Sequence, residues 1–145
     1  LGWRAMAMPK TPALTTDCVI RDHDGRVLLI RRRNEPFKGA YALPGGFVDI
    51  GETVEAACRR EVLEEAGIAV GELRLVGVYS DPSRDPRGHT VSIAYMTLLL
   101  RAPRPKAGSD AEDAEWIKDW RALELAFDHA EIVADAEKLA GRSSK

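Results

Sequence analysis

The segment Gly46-Phe47-Val48-Asp49-Ile50-Gly51-Glu52-Thr53-Val54-Glu55-Ala56-Ala57-Cys58-Arg59-Arg60-Glu61-Val62-Leu63-Glu64-Glu65-Ala66-Gly67-Ile68 concentrates the chemistry of this chain. Thr53 to Ala66 reads as a helix: Thr53 suits the N-cap, Glu55 the positive first turn, and Gly67 the left-handed residue that ends it. With Glu61 as the zero of a 3.6-residue helix, Glu65 lies about 40° to one side and Glu64 about 60° to the other. Three carboxylates thus share an arc of about 100°. Val62, Leu63, Ala66 and Ala56 fall roughly opposite and are the expected core face. Val54, Ala57 and Cys58 fall near the carboxylate arc, beneath the preceding loop. Like charges at i,i+4 work against a helix. A hard divalent cation resolves that conflict, because Mg²⁺ takes carboxylate, water and phosphate oxygens. A solvated acidic face is the alternative.

The residues in front of the helix favour the cation. Pro44-Gly45-Gly46 lets bare backbone approach the carboxylates, and Glu52, Arg59 and Arg60 supply charge to brace that loop on the helix.

Composition bounds the rest. The chain has 145 residues, 45% apolar and 30% charged, with 21 Lys and Arg against 23 Asp and Glu for a net charge of −2. That is one domain's worth of sequence, and the balance argues against a general nucleic-acid or anionic-membrane binder. No run reaches the 18–20 apolar residues of a membrane span, and no signal-peptide core opens the chain. Cys18 and Cys58 form no zinc or redox motif and read as isolated buried thiols of a cytoplasmic protein. Residues 1–12 are expected to be a tail (Leu1 to Ala7 non-native, with the natural start at Met8), 13–141 the domain, and 142–145 a second tail.

Leu14 to Ile20 and Val27 to Ile30 are strand-like and joined by Asp24-Gly25, a hairpin signal. Leu73 to Tyr79, Thr90 to Leu100 and Glu115 to Ile117 are further strands. Asp128 to Leu139 is a closing amphipathic helix with Ile132, Val133, Ala136 and Leu139 inward. Pro103 to Asp113 reads as a loop. Strands interleaved with two helices argue for a mixed sheet covered on its faces.

Gly46, Glu52 and Arg60-Glu61-Val62-Leu63-Glu64-Glu65-Ala66-Gly67-Ile68, at this spacing, resemble the signature of the Nudix hydrolases at every defined position. The resemblance implies a single-domain α/β/α sandwich with a mixed β-sheet, and hydrolysis of a nucleoside diphosphate linked to another moiety. Carried onto this chain, it makes Glu61 and Glu65 the main ligands of Mg²⁺ (or Mn²⁺) and Glu64 a further or supporting one. The carbonyl of Gly45 or Gly46 completes the shell, and Glu52 with Arg60 forms a structural brace. The base often comes from outside this segment in the family. In this chain Asp110-Ala111-Glu112-Asp113 is the natural source, with Glu112 ranked first; a solvated loop is the alternative.

Tyr79-Ser80-Asp81-Pro82-Ser83-Arg84-Asp85-Pro86-Arg87-Gly88-His89 is similar to the segment of ADP-ribose pyrophosphatases that carries a proline about fifteen residues past the signature. Arg84 and Arg87 present forks of donors suited to a ribose or a phosphate, although charges pairing within the loop would explain them too. Phe127 can stack on adenine or pack in the core, and His129 reads as structural. Within Arg31-Arg32-Arg33, Arg32 is the candidate for steering an anionic substrate. The expected function is Mg²⁺-dependent conversion of ADP-ribose to AMP and ribose 5-phosphate by a cytoplasmic homodimer that binds a small nucleotide and neither nucleic acid nor membrane. The alternatives are another nucleotide (an oxidised nucleoside triphosphate, NADH or a dinucleoside polyphosphate) or a non-catalytic ADP-ribose sensor. The sensors of this family carry a DNA-binding domain, for which 145 residues leave no room beside this fold.

Overall fold

The computed structural model describes residues 7–143; the expectations for residues 1–6 and 144–145 lie outside them. Its strands are β1 (Ala13–Asp22), β2 (Val27–Arg32), β3 (Tyr41–Ala42), β4 (Gly45–Phe47), β5 (Arg74–Tyr79), β6 (Thr90–Leu99) and β7 (Ala111–Ile117). The helices are α1 (Val54–Ala66) and α2 (His129–Ser143), with a 3-10 turn at Trp120–Ala122. The seven strands form one sheet ordered β3-β2-β1-β6-β5, with β4 added on β1 and β7 on β2. The sheet is mixed: β1 and β6 run parallel from Ala13↔Thr90 to Asp22↔Leu99, whereas the β1–β2, β2–β7 and β5–β6 pairs are antiparallel.

Alternation along the central strands splits the core in two. Cys18, Ile20, Leu28 and Ile30 pack with Cys58, Val62 and Ala66 of α1, while Val19, Val27 and Leu29 pack with Ile132, Val133 and Ala136 of α2. Each helix therefore covers one face, completing a single-domain α/β/α sandwich. Both strands are buried on both sides, which is why they read as continuous apolar runs.

The turn between β1 and β2 is held by Asp22, whose carboxylate accepts the N–H groups of Asp24 and Arg26, with Gly25 at φ 81°. In α1, Thr53 accepts the Ala56 N–H at 3.1 Å, and Gly67 adopts φ 68° while donating to the Leu63 carbonyl. Both cysteines are buried and free.

Three expectations are corrected. Leu63 and Ala56 are exposed, and the buried side of α1 is Ala57, Cys58, Val62, Glu65 and Ala66. The helix is rotated so that a carboxylate, rather than a leucine, enters the interior beside β4. The acidic stretch after Gly108 is not a loop: Ala111, Glu112 and Asp113 belong to β7, whose small buried Ala111 and Ala114 seat it against β2. Pairing jumps from Arg31↔Asp113 to Arg32↔Ala111, so Glu112 is the extra, exposed residue of a bulge. The last helix begins at His129 and runs past Leu139 to Ser143. Asp128 stays outside it, although its carbonyl accepts the N–H groups of Glu131 and Ile132.

Candidate active site

A cleft opens where α1, the Gly45–Phe47 strand, the 80–89 loop and the start of α2 meet. Arg32, Gly45, Gly46, Glu65, Arg84, Arg87, Phe127 and His129 all line it.

Its floor is carboxylate. Glu65 is 6% exposed and accepts the Gly45 N–H at 2.8 Å. Burial pushes its carboxyl up; the Gly45 N–H opposes this, the adjoining Glu61 adds to it, and the result is a value of about 9. Burial also raises Glu61, against the pull of Arg60. Glycine lets the backbone come close here. A Cβ on Gly46 would stand 2.7 Å from Glu61 Cδ, and one on Gly45 would strike the Thr16 carbonyl oxygen.

Arg60 ties this floor to the loop above it. Its Nε and Nη2 donate to Glu52 Oε2 and Oε1 at 2.7 and 2.8 Å, Nη2 also reaches the Phe47 carbonyl, and Nη1 donates to Glu61 Oε1 at 2.8 Å. Glu64 Oε2 lies 3.3 Å from the same Nη1 with its side chain 44% exposed, on the outer side of the guanidinium. The paired guanidinium holds Glu52 down at about 2.

The Nudix resemblance implies a divalent cation, and the donor set suits one. Among the described residues no three His, Cys, Asp or Glu side chains form a ready-made cage. Mg²⁺ does not need one, because it is bound through one or two carboxylates and keeps water and substrate phosphate for its other positions. Glu61 and Glu65 are two hard-oxygen groups crowded together at a real electrostatic cost, which a cation would relieve.

The cleft wall is cationic and aromatic. Arg32 lies over the Phe127 ring at 5.1 Å and Arg87 at 5.8 Å, while Arg87 also covers Phe47 at 5.3 Å and Phe37 meets Phe127 edge-on at 4.8 Å. Arg32 Nε donates to the Pro36 carbonyl, and none of the ion pairs found among the described residues includes it. Burial and the charge of Arg87 lower its pKa, as expected of a cation lining the cleft without an ion-pair partner among the described residues. Arg31 and Arg33 instead bind backbone carbonyls of Gly39 and Ala111. Arg87 is paired with Asp85 through Nε and Nη2 at 3.1 and 2.8 Å and remains half exposed.

Arg84 sits differently. Its side chain is 4% exposed, Nε and Nη2 grip the Asp128 carboxylate at 2.9 and 2.6 Å, and Nη1 donates to Thr90 Oγ1. Every nitrogen is occupied, so Arg84 supports the wall from behind. Glu112, on its exposed bulge, is not brought to the cleft.

Sequence reasoning missed Asp17. This buried β1 carboxylate accepts Ser92 Oγ at 2.5 Å and lies 3.3 Å from His129 Nε2 and 3.7 Å from Arg84. Burial raises its pKa, but His129, Ser92 and Arg84 together outweigh that and leave it lowered. The signal was present: a lone carboxylate in an apolar strand must have a buried partner.

The NUDIX domain model matches residues 11–138, and the chain belongs to the Nudix hydrolase family. Within it, an ADP-ribose pyrophosphatase of Methanocaldococcus jannaschii is 48% identical over 124 residues, covering 86% of this chain and 72% of that protein. The ADPR responsive transcriptional repressor of Acinetobacter baylyi is 35% identical, covering 87% of this chain. The chain spans only 53% of that repressor. The NUDIX domain of Shewanella oneidensis NrtR, solved in complex with ADP ribose, superposes with a TM-score of 0.88 at 29% identity, covering 96% of this chain and 97% of that domain. No helix among the described residues is long and apolar enough to cross a membrane.

Proposed function

We propose that this chain hydrolyses the pyrophosphate bond of ADP-ribose, giving AMP and ribose 5-phosphate, with Mg²⁺ as cofactor and Mn²⁺ as a substitute. The observation that carries the reading is one cleft in which Glu65, crowded by the adjoining Glu61, lines the same space as the guanidinium groups of Arg32 and Arg87 stacked on Phe127. The 48% identical archaeal relative supports the substrate.

Glu61 and Glu65 would hold the cation, with Glu64 in support and a carbonyl of Gly45 or Gly46 as a further donor. The cation supplies charge neutralisation on the diphosphate and a more acidic water. Arg32 and Arg87 hold phosphate oxygens, and Phe127 offers its ring to the flat base. Arg60 keeps Glu61 oriented, and Gly45 keeps Glu65 oriented. Hydrolysis breaks one bridging P–O bond; the water oxygen goes to phosphorus and its protons are shared between the products and solvent. Glu64 and Glu112 are the carboxylates proposed for proton removal, Glu112 only if its bulge moves inward. We further propose a cytoplasmic homodimer that acts on the free nucleotide without nucleic acid.

The test is product analysis with Mg²⁺ across ADP-ribose, NADH, diadenosine polyphosphates and oxidised and normal nucleoside triphosphates. ADP-ribose is expected to give the highest kcat/KM, with AMP and ribose 5-phosphate as products. The similarity to an ADPR responsive repressor favours one second reading, a sensor. Binding of ADP-ribose without turnover of any substrate would select it.

A further inference from the structure

His129 lines the inner end of the cleft, and its two ring nitrogens face different elements. Nδ1 accepts the Leu43 backbone N–H at 3.0 Å, and Nε2 lies 3.3 Å from Asp17 Oδ1. A backbone N–H can only donate, so Nδ1 carries no proton and Nε2 carries the one directed at Asp17. The ring is 4% exposed, and the chain leading to it is zipped along the same segment: Ala126 N–H donates to the Tyr41 carbonyl. Two residues after Leu43, the Gly45 N–H holds Glu65, and the Pro44 carbonyl between them accepts the Cys18 N–H. Asp17 closes the circuit. It is paired with Gly45 in the β1–β4 register, and its Oδ1 would be 2.6 Å from a Cβ on Gly45.

We propose that His129 is a positioning residue for the cation site: by accepting the Leu43 N–H, it fixes the Leu43–Gly45 backbone and so the N–H that aims Glu65. This rests on the assignment of Glu61 and Glu65 to the cation. Its action passes from the Nδ1 acceptor to the Leu43 N–H, and a partner that orients a ligand from behind is worth roughly 10–100-fold in metal affinity. Contact with ADP-ribose plays no part in it.

Two substitutions separate the nitrogens. His129→Asn keeps an acceptor near Nδ1 and loses the donor to Asp17; His129→Gln keeps a donor near Nε2 and loses the acceptor. Mn²⁺ binding is read by electron paramagnetic resonance without nucleotide, so the result is independent of whether ADP-ribose is the substrate. His129→Gln is expected to weaken Mn²⁺ by about tenfold or more and to speed amide exchange at Leu43 and Gly45. His129→Asn is expected to stay close to the unsubstituted protein in both. Equal Mn²⁺ affinity in both variants, or a parallel loss in both with falling Tm, would overturn the proposal. In the unsubstituted protein, Mg²⁺ is expected to slow exchange at Leu43 and Gly45 together; if only Gly45 responds, the coupling through Leu43 does not exist.

Discussion

Gly46 and Glu61 approach so closely that no side chain fits between them: a Cβ on Gly46 would lie 2.7 Å from the Glu61 Cδ and 2.8 Å from both carboxylate oxygens. The obstruction is the end of a side chain, which can swing away at the expense of its bond to Arg60. Gly46→Ala is therefore expected to leave Tm nearly unchanged while raising the Mg²⁺ concentration for half-activation. Gly45→Ala meets the Thr16 backbone instead and is expected to destabilise by about 1–3 kcal/mol, the usual cost of overpacking. Thermal unfolding and Mg²⁺ titration of the two variants check the contrast.

Glu65 makes stability depend on pH and on the cation. Its carboxyl is raised to about 9 from an ordinary 4.5, by burial first and by Glu61 as well. A raised carboxyl contributes stability that is fully present below its unfolded value and is lost as pH climbs towards the folded one. In EDTA, Tm is expected to fall between pH 4.5 and 9, and Mg²⁺ is expected to restore it most at the alkaline end. Glu65→Gln keeps an oxygen for the Gly45 N–H, so it should flatten the EDTA profile, abolish the Mg²⁺ shift and remove turnover. A Mg²⁺ shift that survived this substitution would take Glu65 out of the ligand set.

Glu52 has the opposite sign. Arg60 holds its carboxyl down at about 2, so its contribution is present above pH 4.5 and disappears as pH falls through 2. Glu52→Gln is expected to lose tolerance to acid across that window in circular-dichroism melts. It should also lower kcat moderately, because the freed guanidinium no longer holds Glu61 in one place.

Arg84 of the 80–89 loop and Arg32 at the end of β2 are expected to part company. Arg84→Ala takes the cation from half-buried Asp128 and buried Asp17 and should destabilise by about 3 kcal/mol, the low end for breaking a buried pair. Arg32→Ala removes a cation found in no ion pair among the described residues and should raise the KM for ADP-ribose about 10–100-fold, the worth of a charge-assisted hydrogen bond, with a small change in Tm. Michaelis–Menten analysis beside denaturant unfolding distinguishes them.

Much of this was legible in order along the chain. Strand-like runs interleaved with two helices announced a mixed sheet covered on its faces, Thr53 and Gly67 marked both ends of α1, and the spacing of Gly46, Glu52 and the glutamates named the family. These are short-range patterns, set by the 2.0 and 3.6 periods of strand and helix and by capping chemistry. Glu112 illustrates the limit. Its neighbours looked like a polar loop because the only buried residue among 110–113 is the small Ala111, and the bulge that turns Glu112 outward depends on pairing with Arg31 and Arg32 from far upstream.

The same limit separates Glu61 and Glu65 from Asp17, His129 and Arg84. Residues one helical turn apart are neighbours in any helix, so local geometry is enough to find the glutamates. Asp17, Arg84 and His129 come from β1, a loop and the start of α2, and only the packing of both helices on opposite faces of the sheet brings them together. That packing gives Arg84 to Asp128 and leaves Arg32 facing the cleft. The difference is made by burial and long-range pairing, which no local spacing along the chain encodes.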